Sequence, residues 1–110
     1  MLMLLLHFGS NGQEQLKLEG HWYDSTLVAS TAHNNVYNEV WGLYINDHEI
    51  AIIGSTYGTH FLDVTNPALP LELFRIPGKA QGRSIVHRDY HHLGDYLYAV
   101  CDEGPSSLQI

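Results

Sequence analysis

Between residues 40 and 76 apolar and polar positions alternate in four short runs. Val40-Trp41-Gly42-Leu43-Tyr44-Ile45 is β-branched and aromatic, and the turn cluster Asn46-Asp47-His48 follows it. Residues 49–55 form a second run, apolar on both faces at its centre. Thr56-Tyr57-Gly58 leads to a third run over 59–64, stopped by Thr65-Asn66-Pro67. A fourth run, Leu71-Glu72-Leu73-Phe74-Arg75-Ile76, is closed by Pro77-Gly78. Period-two runs bounded by Gly, Pro, Asn and Asp predict strands joined by tight turns, here a four-stranded antiparallel meander near 37–78. No stretch carries a sustained 3.6-residue apolar period with caps, so helix is expected to be nearly absent.

The pattern restarts at residue 84. Ser84-Ile85-Val86 leads into Asp89-Tyr90, and a turn at His92-Leu93-Gly94 precedes a strand over 95–101. Asp102-Glu103-Gly104 turns again, and Ser107-Leu108-Gln109-Ile110 opens another strand. An ungapped offset of 46 lays Tyr44 on Tyr90, Glu49 on Asp95, Gly58 on Gly104, Leu62 on Leu108 and Val64 on Ile110. A repeat of 40 to 50 residues with four strands per unit is the sequence sign of a β-propeller blade. The expected fold is therefore all-β, an incomplete β-propeller of about one and two-thirds four-stranded blades. One blade does not bury both of its faces, so the chain is expected to be the N-terminal fragment of a longer propeller, truncated at its C-terminus.

Residues 1–8 are apolar apart from His7, and the small polar stretch Gly9-Ser10-Asn11-Gly12-Gln13 follows. An apolar run ending in small residues reads as a secretory signal peptide over 1–13, with its basic n-region missing or degenerate. It is far too short to span a bilayer. Residues 14–36 are then a lead-in segment with one aromatic anchor around Trp22, and 37–110 carry the repeats. The expected location is extracellular or at the cell surface.

Lys plus Arg number 5 against 12 Asp plus Glu, a net charge of −7, which argues against a nucleic-acid partner or a polybasic membrane surface. The 45% of hydrophobic residues excludes a disordered acidic tail. The single Cys101 excludes an intrachain disulfide framework.

Tyr37-Asn38-Glu39-Val40-Trp41-Gly42, Glu49-Ile50-Ala51-Ile52-Ile53-Gly54-Ser55 and Gly58-Thr59-His60-Phe61-Leu62-Asp63-Val64-Thr65 together resemble the signature of the choice-of-anchor B family. Phe61-Leu62-Asp63-Val64 takes the place of that family's LVIVD motif, and Leu108-Gln109-Ile110 begins a further copy. His87-Arg88-Asp89-Tyr90 resembles its Trp-Arg-Asp segment, with His in place of Trp. The resemblance covers roughly residues 20–110. It implies an exported surface propeller with an anchor beyond Ile110, and it brings no enzymatic activity.

Eight histidines draw attention to chemistry. On a strand, His87, Asp89 and His91 share one face, a donor set suited to zinc or another divalent ion. Against this, residues two apart on one strand stand nearly 7 Å apart, which strains a compact site; Asp89 at a strand edge with surface histidines is the plainer reading. Trp41 offers an indole to a saccharide groove, or packs between blades. His60 is a candidate ligand-contacting residue or general base, although no Ser, Cys or carboxylate stands at a diagnostic spacing and a structural hydrogen bond accounts for it. Asp63 is expected to accept turn N–H groups, and Asp102-Glu103 to form an acidic exposed turn. The function expected is a binding, adhesion or scaffold module with a protein or glycan partner and no cofactor. An exported hydrolase or lyase with a histidine-lined channel, and a metal-binding propeller module, are the alternatives.

Overall fold

A computed structural model describes residues 16–105 and 107–110, so the leader expected over 1–13 lies outside the described residues. Four strands, β1 (Tyr37–Ile45), β2 (His48–Ser55), β3 (Gly58–Asp63) and β4 (Leu71–Pro77), pair antiparallel in the order β1-β2-β3-β4. Two more, β5 (Arg88–Leu93) and β6 (Tyr96–Cys101), form a second antiparallel sheet. An isolated antiparallel bridge from Ala99 to Gln109 marks where a third strand begins to join that sheet. No helix occurs among the described residues. The all-β expectation is thus met by two antiparallel sheets.

Local chemistry explains each turn. Asn46 and Asp47 both take positive φ (50° and 64°), the backbone of a two-residue hairpin whose twist matches the flanking strands. Between β3 and β4 the Asp63 carboxylate accepts the Thr65 N–H at 2.9 Å and Asn66 Oδ1 accepts the Ala68 N–H at 3.2 Å. β1 starts at Tyr37, earlier than the alternation from Val40 implies, because a bulge at Glu39 (φ 56°) resets the pleat between Asn38 and Val40.

Pairing lines up Trp41, Ile52, Phe61 and Phe74 as cross-strand neighbours on one face of the first sheet. Phe61 and Phe74 stack at 4.4 Å. That face, with Leu43 and Ile50, packs on Tyr90, Leu97 and Ala99 of the second sheet. Aromatic and β-branched residues opposite one another stabilise the sheet, and their burial against the next sheet supplies most of the driving force.

The repeat holds, but at a different offset. Asn46 and Asp47 of the first hairpin correspond to Gly94 and Asp95 of the second, since Ile45 pairs with His48 and Leu93 with Tyr96. The hairpins are therefore 48 residues apart, not 46. Both offsets are even, so both keep the inward positions in phase.

Arg88 differs most from its expected place at the surface. It is buried between the sheets. Its Nε donates to the Ser55 carbonyl and its Nη2 to the Ala80 carbonyl, each at 2.8 Å. Its backbone N–H donates to Asn38 Oδ1, also at 2.8 Å. Two glycines make the room. A Cβ at Gly78 would stand 2.5 Å from the guanidinium, and one at Gly54 would stand 2.6 Å from the Asn38 carbonyl.

Arg88→Ala is expected to lower unfolding stability by about 2–4 kcal/mol, because two carbonyls lose their buried partner. Urea denaturation followed by tryptophan fluorescence measures this. Gly78→Ala is expected to shift the midpoint in the same direction by displacing the same guanidinium.

Candidate functional site

The lead-in segment carries Trp22 onto the first sheet, against the His60 ring at 5.3 Å. Asp24 holds it there. Its carboxylate accepts from Arg75 Nη1 at 2.6 Å, and its backbone N–H donates to the Tyr37 hydroxyl at 2.6 Å. Farther along, the Thr56 hydroxyl donates to the Val28 carbonyl.

His60 is fully buried and stands in a relay that its sequence neighbours do not announce. Ser55 Oγ lies 2.7 Å from Nε2, and Glu72 Oε1 lies 3.0 Å from Nδ1. This is the order of a serine nucleophile, a base and its orienting carboxylate. The environment directs it elsewhere. Ser55 is also fully buried, and its Oγ accepts the Tyr57 and Gly58 N–H groups at 3.1 and 3.2 Å. With both lone pairs engaged, the hydroxyl proton goes to Nε2 and the imidazole N–H at Nδ1 goes to Glu72. The set closes the turn between β2 and β3, and Ser55 Oγ has no free lone pair for attack. Ser55 and Glu72 are the partners that sequence spacing missed. Ser55 lies five residues before His60, one turn away, but Glu72 reaches it only through the pairing of β3 with β4.

Trp41 is half-buried at the seam of the sheets. Its indole N–H donates to His92 Nδ1 at 3.0 Å, and its ring centroid lies 5.2 Å from that of His91. The indole thus finds a histidine where a backbone partner was expected.

His87 precedes β5 and is drawn away from Asp89 and His91. The structure groups it with His33 and Glu103, whose ligand atoms all lie within 4.8 Å of one another. Asp89 instead accepts the Tyr90 N–H at 2.8 Å, and His91 packs on Trp41. Each member of the new group is placed by its own local structure. Ser30 closes the turn that carries His33: its N–H donates to the Asn35 carbonyl at 2.8 Å and its Oγ accepts the His33 N–H at 3.3 Å. The Thr31 N–H then ties that turn to the Arg83 carbonyl at 2.8 Å. Glu103 Oε2 accepts the Val86 and His87 N–H groups at 2.6 and 2.7 Å, leaving Oε1 2.8 Å from His87 Nδ1. The His33 and His87 rings meet edge to face at 4.7 Å. Asp102 Oδ1 stands 4.0 Å from His87 Nδ1.

Part of this was readable. Extending the β5–β6 register outward from Arg88 opposite Cys101 sets Val86 opposite Glu103. His33 gave no such signal, because the lead-in segment has no periodicity. Two imidazoles and one carboxylate whose second oxygen is already fixed form a donor set suited to a borderline divalent ion, with Asp102 near enough to become a fourth donor.

No family model, curated protein or solved structure matches this chain. No helix among the described residues is long and apolar enough to cross a membrane.

Three carboxylates titrate below their ordinary range. Burial pushes Glu103 up, but the Val86 and His87 N–H groups and the His87 imidazole outweigh it. The Thr26 hydroxyl and N–H hold Asp24 down, with Arg75 adding to them. The Thr65 hydroxyl and N–H, with His48, do the same for Asp63. A depressed folded-state pKa stabilises above the unfolded value, and that stability is lost as pH falls through the folded value. The urea midpoint is therefore expected to fall as pH drops below the ordinary Glu and Asp values of 4.5 and 3.8. Asp24→Asn is expected to flatten that acid limb. Ser55→Ala is expected to cost about 1–3 kcal/mol in the same assay, since two turn N–H groups lose their acceptor.

Proposed function

We propose that this chain is a metal-binding β-repeat module whose ion, of the zinc class, is held by His33, His87 and Glu103. The observation that carries the reading is the Glu103 carboxylate, held by two backbone N–H groups on one oxygen and facing two imidazoles with the other. A fixed second oxygen orients the ligating one before any ion arrives, so less ordering entropy opposes binding. Tetrahedral zinc places neighbouring ligand atoms about 3.3 Å apart, so the group closes inward on the ion. His33 is exposed on its turn and is free to make that movement. The ion would join the lead-in turn to the β5–β6 hairpin, a structural role, with Asp102 available to complete four-coordination.

The wider setting belongs to the same proposal. The repeat, together with exposed Leu71, Leu73, Phe74 and Ile76 on β4 and Val40 and Tyr44 on β1, supports a propeller in which further sheets cover these faces. The choice-of-anchor B motifs support export and a surface binding or scaffold role. No reaction is proposed.

The full chain, stripped of metal and titrated with Zn²⁺ by calorimetry and with Co²⁺ by visible absorption, tests the site. One ion per chain is expected. His33→Ala and His87→Ala are each expected to weaken it about a hundredfold, while Asp89→Asn and His91→Ala leave it unchanged. Stoichiometric binding that survives both His33→Ala and His87→Ala, or no uptake at all, would overturn the assignment.

A further inference from the structure

The tips of the β1–β2 and β5–β6 hairpins enclose a cleft of about 860 Å³, separate from the metal ligands. It is lined by Tyr44 and Asn46 from the first tip, by His92, Asp95 and Tyr96 from the second, and by Phe61. That volume lies within the range of about 300–1,000 Å³ typical of small-molecule clefts.

The chemistry of the lining selects among ligands. Tyr44 and Tyr96 leave 70% and 62% of their surface in water. Two exposed rings on separate hairpins present flat apolar faces with polar tips, suited to a partner that is apolar on its faces and hydroxylated at its rim. The hydrogen-bonding groups between them are mixed. Asn46 offers both a donor and an acceptor, and Asp95 offers acceptors. His92 contributes a donor by a short chain of reasoning. The Trp41 indole can only donate, so His92 Nδ1 accepts its N–H at 3.0 Å. The imidazole is then neutral, with its proton on Nε2.

Charge narrows the class further. No Lys or Arg lines the cleft, Asp95 is its one ionised group, and the chain carries a net charge of −7. Phosphorylated, sulfated or uronic ligands would meet repulsion without a compensating cation. A purely apolar ligand would leave the amide and the carboxylate without partners. The walls are also rigid. Asn46 and Asp47 hold the positive φ of a tight hairpin turn, and the Tyr44 hydroxyl donates to Asp47 Oδ1 at 3.3 Å. A preformed platform costs little ordering on binding.

We propose that this cleft binds a neutral oligosaccharide, with Tyr44 and Tyr96 stacking on pyranose faces and Asn46, His92 and Asp95 bonding the ring hydroxyls.

The test is amide NMR and calorimetry on the full chain with neutral hexasaccharides (cellohexaose, xylohexaose, laminarihexaose, mannohexaose and chitohexaose) at concentrations up to about 5 mM. At least one is expected to bind and to shift the amides of Tyr44–Asn46 and Gly94–Leu97, while hexagalacturonate does not bind. Tyr44→Ala and Tyr96→Ala are each expected to weaken that binding about tenfold, and Tyr96→Phe to retain most of it. The wild-type shift map reads out the site even where a variant fails to fold. The proposal is overturned if none of the five binds, if the shifts fall outside the two hairpin tips, or if affinity is unchanged in both alanine variants.

Discussion

The arrangement of the two sheets depends on one buried cation. Arg88 carries its guanidinium into the seam between them and satisfies it on two carbonyls, one at the end of β2 and one in the connection that follows β4. Carbonyl oxygens attract a cation through their dipoles without adding a second charge to desolvate. The seam therefore avoids the cost of burying an ion pair. The consequences reach outward. Gly78 and Gly54 lack side chains because the guanidinium and the bulged start of β1 need that space. Asn38 is committed to the Arg88 N–H, which sets where β5 begins relative to β1. Tyr90, two residues on, is carried beneath the first sheet, where its hydroxyl meets that of Thr59 at 3.1 Å. Desolvation there raises its pKa.

Histidine does three different jobs in this small structure, and in each the partner decides which. His60 is bracketed by a hydroxyl and a carboxylate in a dry interior and becomes a turn lock. His92 accepts from an indole that can only donate, which fixes its tautomer and turns its other nitrogen into a donor. His87 faces a second imidazole and an anchored carboxylate across a partly exposed surface, where an ion can enter. The residue type alone carries none of these distinctions. The same imidazole is structural where both nitrogens are engaged in a dry site, and available for ligation where one partner is a carboxylate near water.

The lead-in segment links these features. It adds no strand, yet it covers His60 with Trp22, pairs Asp24 with Arg75 and presents His33 to His87. Its order is borrowed from the sheets it touches. The same stretch therefore contributes both to the closure of the first sheet and to the candidate metal centre on the second.

The sequence by itself determined the strands, the turns and the phase of the faces. Period-two alternation, Asn-Asp and Gly-Asp turns and the Asx geometry after β3 are local, and local sterics and hydrogen bonding decide them. Alternation also explains why an offset of 46 read as a repeat when the hairpins stand 48 apart. An even shift leaves every inward residue inward, so hydrophobic phase does not distinguish the two. What only the tertiary structure decided is which polar groups meet. Glu72 reaches His60 through strand pairing, Glu103 reaches His87 across a hairpin, and His33 arrives from a segment without periodicity. Shared strand face grouped His87 with Asp89 and His91. Strand spacing keeps such residues nearly 7 Å apart, whereas pairing and chain crossing bring distant residues within bonding reach. Arg88 shows the same limit from the other side. Nothing in its immediate sequence marks it as buried, because the carbonyls that stabilise it come from residues 33 and 8 positions earlier.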